Sequence, residues 1–308
     1  MAQITAALVK ELRAKTGAGM MDCKKALTQT GGDMDSAVDW LRQQGMSNAA
    51  KKSGRIAAEG LVGVIVDGAA GALVEINAET DFVARNDSFQ GFVRDAAKIS
   101  LSANGDLDAL GAAPYPGGTR TVVEELTHQI ATIGENMALR RCAALRVDQG
   151  AVVSYVHNAL TDGLGKIGVI VALESTGDEA ALRNLGKQLA MHIAAAEPEC
   201  VAIADIDPAN LDRERKFLIE QARASGRPEN IIEKMVEGRL RKYYKGVALL
   251  EQVFVVDNET RVSDVVENAA KDVGAPVRVQ AFVRYVLGEG IEKKQENLAD
   301  EVAATLAG

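Results

Sequence analysis

The sequence predicts an α+β protein: an N-terminal three-helix module, a duplicated α+β core with two small antiparallel sheets, an inserted helical-hairpin arm and a C-terminal helical tail. Three observations carry this. The first 45 residues place apolar side chains at helical spacing between glycine breaks; residues 61–102 and 151–196 each read as a strand pair followed by a helix; and residues 208–245 read as two helices around a Ser-Gly-Arg-Pro break.

Ile4, Leu8 and Leu12 recur every four residues between charges, so a short amphipathic helix precedes the break at Thr16-Gly17-Ala18-Gly19. A second helix fits Met20 to Thr28 and stops at Gly31-Gly32. Asp33 caps a third, which carries Ala37, Val38 and Leu41 and ends at Gly45. Residues 49–60 lack apolar periodicity and read as a linker, closing a first module at 1–55. Leu61–Val66 and Ala72–Asn77 around Asp67-Gly68 form a hairpin, with a helix from about Ser88 to Ser102, in a first core unit at 56–150. Residues 103–120, rich in Pro and Gly, read as a variable loop. The cycle recurs in a second unit at 151–287: Ala151–Val156, a Gly-rich turn at 162–168, Val169–Leu173 and a helix over about Glu179–Ala196. Pro208 opens the first helix of an arm at about 200–246, and the second helix ends near Gly246. Strands over Val247–Val256 and Val277–Leu287, flanking a helix with Ser263 as N-cap, complete the second sheet, and a helical tail starts at Ile291 within a final module at 288–308.

The chain has 308 residues, enough for about two domains at roughly 150 residues each, with 47% apolar and 25% charged residues. A net charge of −8 is unlike a dedicated nucleic-acid binder. Residues 1–55 run the other way, with nine Lys or Arg against five acids, so this module suits an acidic partner surface. Cys23, Cys142 and Cys200 are an odd set at wide spacing and form neither a zinc knot nor a redox dithiol; reduced thiols in the cytosol are expected. The start carries Lys10 and Glu11 too early for a signal-peptide core. No apolar run approaches the ~20 residues of a membrane span.

Several motifs invite chemistry and lose it in context. Gly163-Leu164-Gly165-Lys166-Ile167-Gly168 fits the dinucleotide pattern, but a strand follows where a helix N-terminus must hold the pyrophosphate. Asp81-Phe82-Val83 lacks the glycine of a kinase magnesium motif. His128, His157 and His192 stand apart, without a hydrolase or metal signature; each is a packed or surface side chain, or an interface contact. Asn86-Asp87-Ser88 and Asn258-Glu259-Thr260 match the glycosylation sequon in a chain expected to stay out of the secretory pathway.

Three features remain open. In Thr80-Asp81-Phe82, either Thr or Asp caps the next helix while Phe plugs the core, or Phe projects as a wedge. Met20 and Met21 are adjacent on a short helix, so both are buried or at least one offers an adaptable contact surface. Leu211, Leu218, Ala222, Ile231 and Met235 form an apolar stripe on a hairpin carrying ten basic and six acidic residues, either covered within the hairpin or serving a dimerisation or docking arm.

Two long segments resemble the signatures of the bacterial elongation factor Ts family: Leu12-Arg13-Ala14-Lys15-Thr16-Gly17-Ala18-Gly19-Met20-Met21-Asp22-Cys23-Lys24-Lys25-Ala26-Leu27, and Glu75-Ile76-Asn77-Ala78-Glu79-Thr80-Asp81-Phe82-Val83-Ala84-Arg85. Ile133-Gly134-Glu135-Asn136, Tyr155-Val156-His157, Ala190-Met191-His192, Lys234–Arg239 and Gly288–Glu292 extend the resemblance over the chain. It implies a UBA-like N-terminal module and a cytoplasmic guanine-nucleotide exchange factor for elongation factor Tu, the GTPase that delivers aminoacyl-tRNA to the ribosome. Such a factor has no bond-breaking chemistry, cofactor or metal of its own. By the same resemblance, Thr80, Asp81, Phe82 and Val83 dislodge the partner's Mg²⁺, with Phe82 wedging between partner helices. Met20, Met21, Lys24, Lys52, Ile133, Gly134 and His157 are partner contacts, and the hairpin is a coiled-coil homodimerisation arm. No membrane or direct nucleic-acid contact is implied. The basic first module leaves an RNA- or ribosome-binding translation protein as the alternative.

Overall fold

The computed structural model describes residues 4–224 and 228–292. Its first three helices are α1 (Ala6–Thr16), α2 (Met20–Gln29) and α3 (Met34–Lys52). Gly17, in the left-handed region at φ 69°, ends α1; Asp33 accepts from the Ser36 N–H at 2.8 Å and starts α3. Val9, Leu12, Cys23, Ala26, Leu27 and Ala37 form their common core. Helix α3 does not end at Gly45, as the glycine predicts. It runs on to Lys52, so the first residues of the expected linker are helical. A Cβ on Gly45 would stand 3.1 Å from Ala131 Cβ in helix α7 (Val122–Ile133), so this glycine permits close helix packing instead of terminating a helix.

The core starts with the expected hairpin, β1 (Glu59–Asp67) and β2 (Ala70–Ala78), paired in register Leu61↔Ile76 and Val64↔Leu73. A single turn α4 (Asp81–Ala84), α5 (Asp87–Ser102), α6 (Leu107–Ala112), α7 and β3 (Met137–Arg146) follow, and β3 pairs with β2. The second half holds β4 (Gly150–His157), β5 (Leu164–Gly165), β6 (Ile167–Glu174), α8 (Glu179–Ala196), α9 (Pro208–Arg223), α10 (Glu229–Val247), α11 (Val262–Val273) and β7 (Arg278–Val286). The two sheets have strand orders β3-β2-β1-β5 and β4-β6-β7.

Both halves run hairpin, helix, a later helix closed by a left-handed glycine (Gly134 or Gly274), then a third strand antiparallel to the second. Each of those last pairings carries a register shift, at Glu75/Ile76 and Ala172/Leu173. This is the internal duplication expected from the repeated strand-pair pattern. Strand alternation distributes the side chains: Val62, Val64, Leu73, Val152, Ile170, Ala172 and Tyr285 fill the space between the sheets. Leu61, Val74 and Ile76 face Phe89, Phe92 and Leu126 on the first outer side; Val169, Val171 and Leu173 face Leu185, Leu189 and Val266 on the second. The Gly-rich segment at 163–168 joins the sheets, because the Gly163 carbonyl accepts from Val64 N–H at 2.8 Å and β5 extends the β1 edge.

Four further expectations need correction. Residues 103–120 are not wholly loop: Asp106 caps α6, and Leu110 is fully buried. The first core unit also holds helix α7 and strand β3, beyond the expected hairpin and single helix, and Thr121 and Glu124 open α7 with a complete capping box. Residues 247–256 are not a strand. Helix α10 continues to Val247 and a short 3₁₀ turn covers Leu249–Glu251, since the backbone of this segment pairs with the 200–201 and 260 carbonyls instead of the sheet, while Leu249 and Phe254 are buried under the outer helices. The N-cap position of helix α11 falls two residues before the expected Ser263: Arg261 holds it without a side-chain cap bond, and its carbonyl already accepts the first helical bond from Val265 N–H at 3.0 Å.

In the arm, α9 and α10 meet through Leu218, Ala222, Ile232, Val236 and Leu240. The second helix is thus rotated by one residue from the expected stripe: Ile231 is exposed and Met235 is half-buried. The break at 225–227 and the expected tail from 293 onward lie outside the described residues.

Candidate functional site: an exposed aromatic turn

Strand β2 stays buried to Ala78, and the chain then leaves the sheet for the one-turn helix α4. Its start at Thr80 is not a side-chain cap. Thr80 N–H and Oγ1 instead donate to the two oxygens of Glu135, at 3.0 and 2.8 Å. Glu79, the preceding residue, accepts in return from the Asn136 N–H, while Asn136 Nδ2 donates to the Arg55 carbonyl at 2.7 Å. Val83 and Ala84 sink into the first core and Asn86 caps α5, accepting from Ser88 and Phe89 N–H. With those neighbours turned inward, Phe82 points out and is 74% exposed; Asp81 is exposed beside it. The alternative in which Phe82 plugs the core is therefore excluded.

The clasp at 135–136 brings remote residues to this turn. Ile133 packs on the first core beside it, Gly134 is exposed, and a Cβ on Gly134 would lie 3.9 Å from Lys52 Nζ. Further along α7, a Cβ on Gly17 would lie 3.9 Å from both His128 Nε2 and Thr132 Cγ2, so the α1–α2 connection rests on this helix. Met20 and Met21 follow that connection, 52% and 75% exposed, and Lys24 is exposed one turn on. His157 lies at the end of β4, exposed, with Nδ1 3.1 Å from Tyr155 Oη. Its following loop is tied to the turn by a relay: Gln90 Nε2 donates to the Ala84 carbonyl at 2.9 Å, Arg94 donates to Gln90 Oε1 at 3.4 Å, and Arg94 also donates to Thr161 Oγ1 at 2.6 Å.

Other candidate chemistry finds no setting here. Burial raises the pKa of all three thiols, against nucleophilic activation. His192 is wholly buried between Gln252 and the Val255 N–H. Among the described residues, no cluster of His, Cys, Asp or Glu is placed to hold a metal ion, and no helix is long and apolar enough to cross a membrane. Glu79, Glu135 and Asn136 stand in the matched motifs without an assigned role, and Gln90 and Arg94, which also support the turn, stand outside them. Their partners are up to 81 residues away, and no local pattern announces such contacts.

A duplicated α+β core here presents an exposed aromatic on a braced turn, an arrangement suited to protein contact. The family model described as elongation factor TS matches residues 79–289. The chain is 64% identical to an elongation factor Ts of Rhodospirillum centenum over 304 residues, covering 99% of each chain. It is 62% identical to that of Rhodospirillum rubrum over 307 residues, again covering 99% of each, and 56% identical to that of Rhizobium leguminosarum bv. trifolii over the full length of both. This chain belongs to the elongation factor Ts family, and is a translation elongation factor.

Proposed function

We propose that the chain is the guanine-nucleotide exchange factor of elongation factor Tu, acting without bond-breaking chemistry of its own. The single observation that carries this reading is the exposure of Phe82 on a turn whose backbone is braced at both ends. A large aromatic held in water by its backbone is suited to enter a pocket on a partner. In the partner, Mg²⁺ bridges phosphate oxygens and neutralises their charge, so a wedge that shifts the ion's surroundings weakens the hold on GDP. Thr80 and Val83 set the turn, Phe82 enters, and Asp81 acts beside it and need not ligate the ion. Because coupling between two ligands is reciprocal, the factor binds nucleotide-free partner more tightly than the GDP form, and GTP expels it.

Met20, Met21 and Lys24 on the basic first module, with Lys52, Ile133, Gly134 and His157, extend the contact over one chain of supported segments. The modules at 1–55, 56–150, 151–287 and 288–308 divide the work between docking and exchange, in the cytoplasm, and the arm at about 200–246 provides homodimer contact.

Stopped-flow release of fluorescent GDP from elongation factor Tu tests this, with wild type, Phe82→Ala and no factor. Wild type accelerates release. Phe82→Ala loses about 30-fold of that acceleration, the equivalent of the ~2 kcal/mol of an anchoring aromatic, while its melting temperature is unchanged because the ring makes no core contact. Absence of acceleration by folded wild type, combined with salt-steep RNA binding, favours the RNA-binding alternative.

A further inference from the structure

The Phe82 turn cannot hold itself. Helix α4 has four residues, far below the length at which a helix is stable alone, and Thr80 at its N-cap position gives it no side-chain cap. The Phe82 ring is in solvent, so packing does not orient it. Position must come from the two ends. The C-terminal end is anchored by Val83 and Ala84 in the core and by Gln90 on the Ala84 carbonyl. The N-terminal end has the carboxylate of Glu135, which takes both donors of Thr80 at once. Glu135 itself belongs to neither neighbouring element: α7 closes at Gly134 and β3 begins at Met137. Its carboxylate is therefore spent on the turn and not on its own helix or strand.

We propose that Glu135 is a positioning residue for exchange: by accepting from Thr80 N–H and Oγ1 it fixes the direction in which Phe82 projects, and it locks Phe82 to the adjoining Ile133–Gly134 surface as one rigid contact face. This rests on the exchange reading above. The reciprocal bond from the Asn136 N–H to Glu79 makes the junction two-way, so the turn and the 133–136 connection move as a unit. Both carboxyl oxygens are used, since each accepts from a donor of Thr80.

GDP-release rates are measured over a range of factor concentrations for wild type, Glu135→Ala, Glu135→Gln, Phe82→Ala and Glu135→Ala/Phe82→Ala. A misaimed contact group costs tens-fold or more in rate, so Glu135→Ala lowers the maximal release rate about tenfold while the half-saturating concentration moves less. Glu135→Gln, whose amide oxygen still accepts one bond, falls between. In the Phe82→Ala background the Glu135 substitution changes nothing further. Additive effects of the two substitutions, or a wild-type rate for Glu135→Ala, overturn the proposal. Amide hydrogen exchange over residues 79–86 is read on the free proteins, so it stands whether or not wild type accelerates GDP release. Faster exchange there in Glu135→Ala, with protection of β1 and β2 retained, is expected. Unchanged protection overturns the proposal on its own, and loss of protection throughout the sheet reduces Glu135 to a general stability role. Thr80→Val, which removes only the hydroxyl donor, should shift both readouts in the same direction by less; no shift in either counts against the bond.

Discussion

Glu75 is the point at which one substitution should open the molecule. It sits fully buried in the middle of β2, where an isolated carboxylate would be prohibitively costly. Its Oε1 accepts from Gly288 N–H at 2.8 Å, Arg140 Nη1 at 2.8 Å and Asn77 Nδ2 at 3.0 Å; its Oε2 accepts from Arg141 Nε at 2.6 Å. Arg141 in turn donates to the Val286 carbonyl and stacks 4.2 Å from the Tyr285 ring centre. One carboxylate thus ties the end of β7 to the first sheet. Removing one member of a buried pair costs about 3–5 kcal/mol, and the arginines here, 26% and 29% exposed, recover some hydration when released. Glu75→Ala should therefore cost about 3 kcal/mol, which is roughly a hundredfold in the local opening equilibrium. Hydrogen exchange at Gly288 and along β2 reads the opening, and urea unfolding followed by circular dichroism reads the global loss.

Acid supplies the control. Burial by itself raises the Glu75 pKa, but the bonds from Gly288, Arg140, Asn77 and Arg141 outweigh it and hold the pKa below the usual 4.5. A depressed carboxylate pKa contributes stability above the unfolded value, and that stability is lost as pH falls through the folded value. The gap between wild type and Glu75→Gln should accordingly narrow in acid. A loss under about 1 kcal/mol for Glu75→Ala, or a gap independent of pH, would refute this account.

Two other outcomes follow from the packing. His192 bridges Gln252 and the Val255 N–H under the base of the arm, and burial lowers its pKa below 6.5 against the opposing effect of the Gln252 bond. Its contribution is present above pH 6.5 and lost as pH falls through that value toward the folded pKa, so urea stability rises between pH 5 and 7 and His192→Ala flattens the rise. At Gly45, a valine would force its Cβ against Ala131, now 3.1 Å away; thermal melting should show about 1–3 kcal/mol lost, and an unchanged melt would mean that α3 does not depend on this approach.

Periodic segments were legible because their information is local. Glu179–Ala196 carries a 3.6-residue apolar period, a cap at Asp178 and nothing that competes, and the observed helix has those bounds. The β1–β2 hairpin was legible from two short apolar runs around Asp67-Gly68, with Gly68 at φ 58°. Glycine misled where it had two meanings: Gly31-Gly32 lies beyond the end of α2, but Gly45 serves a contact with a helix some 85 residues later, which no local window contains. The apolar run at 247–256 misled for a related reason. Burial requires apolar residues whether the backbone is a strand or an irregular cover, and only the backbone partners at 200–201 and 260, remote in sequence or unmarked by any pattern, decide between them.

The candidate site divides along the same line. Its motif residues were quoted from the sequence, and the exposed methionines of α2 were one of two open alternatives. The outward direction of Phe82 was not readable, because it follows from Val83 and Ala84 entering the first core and from Glu135 reaching Thr80 across 55 residues.

The sequence by itself determined the helices and hairpins with unambiguous caps, the duplication of the core and membership of the elongation factor Ts family, since each is written in residue order over short spans or long matched motifs. The tertiary structure alone decided which surfaces face water and which segments meet. Local backbone preference acts within a few residues, whereas burial and the pairing of Glu135 with Thr80, Glu75 with Gly288 and Arg94 with Thr161 depend on the whole chain closing around its two sheets.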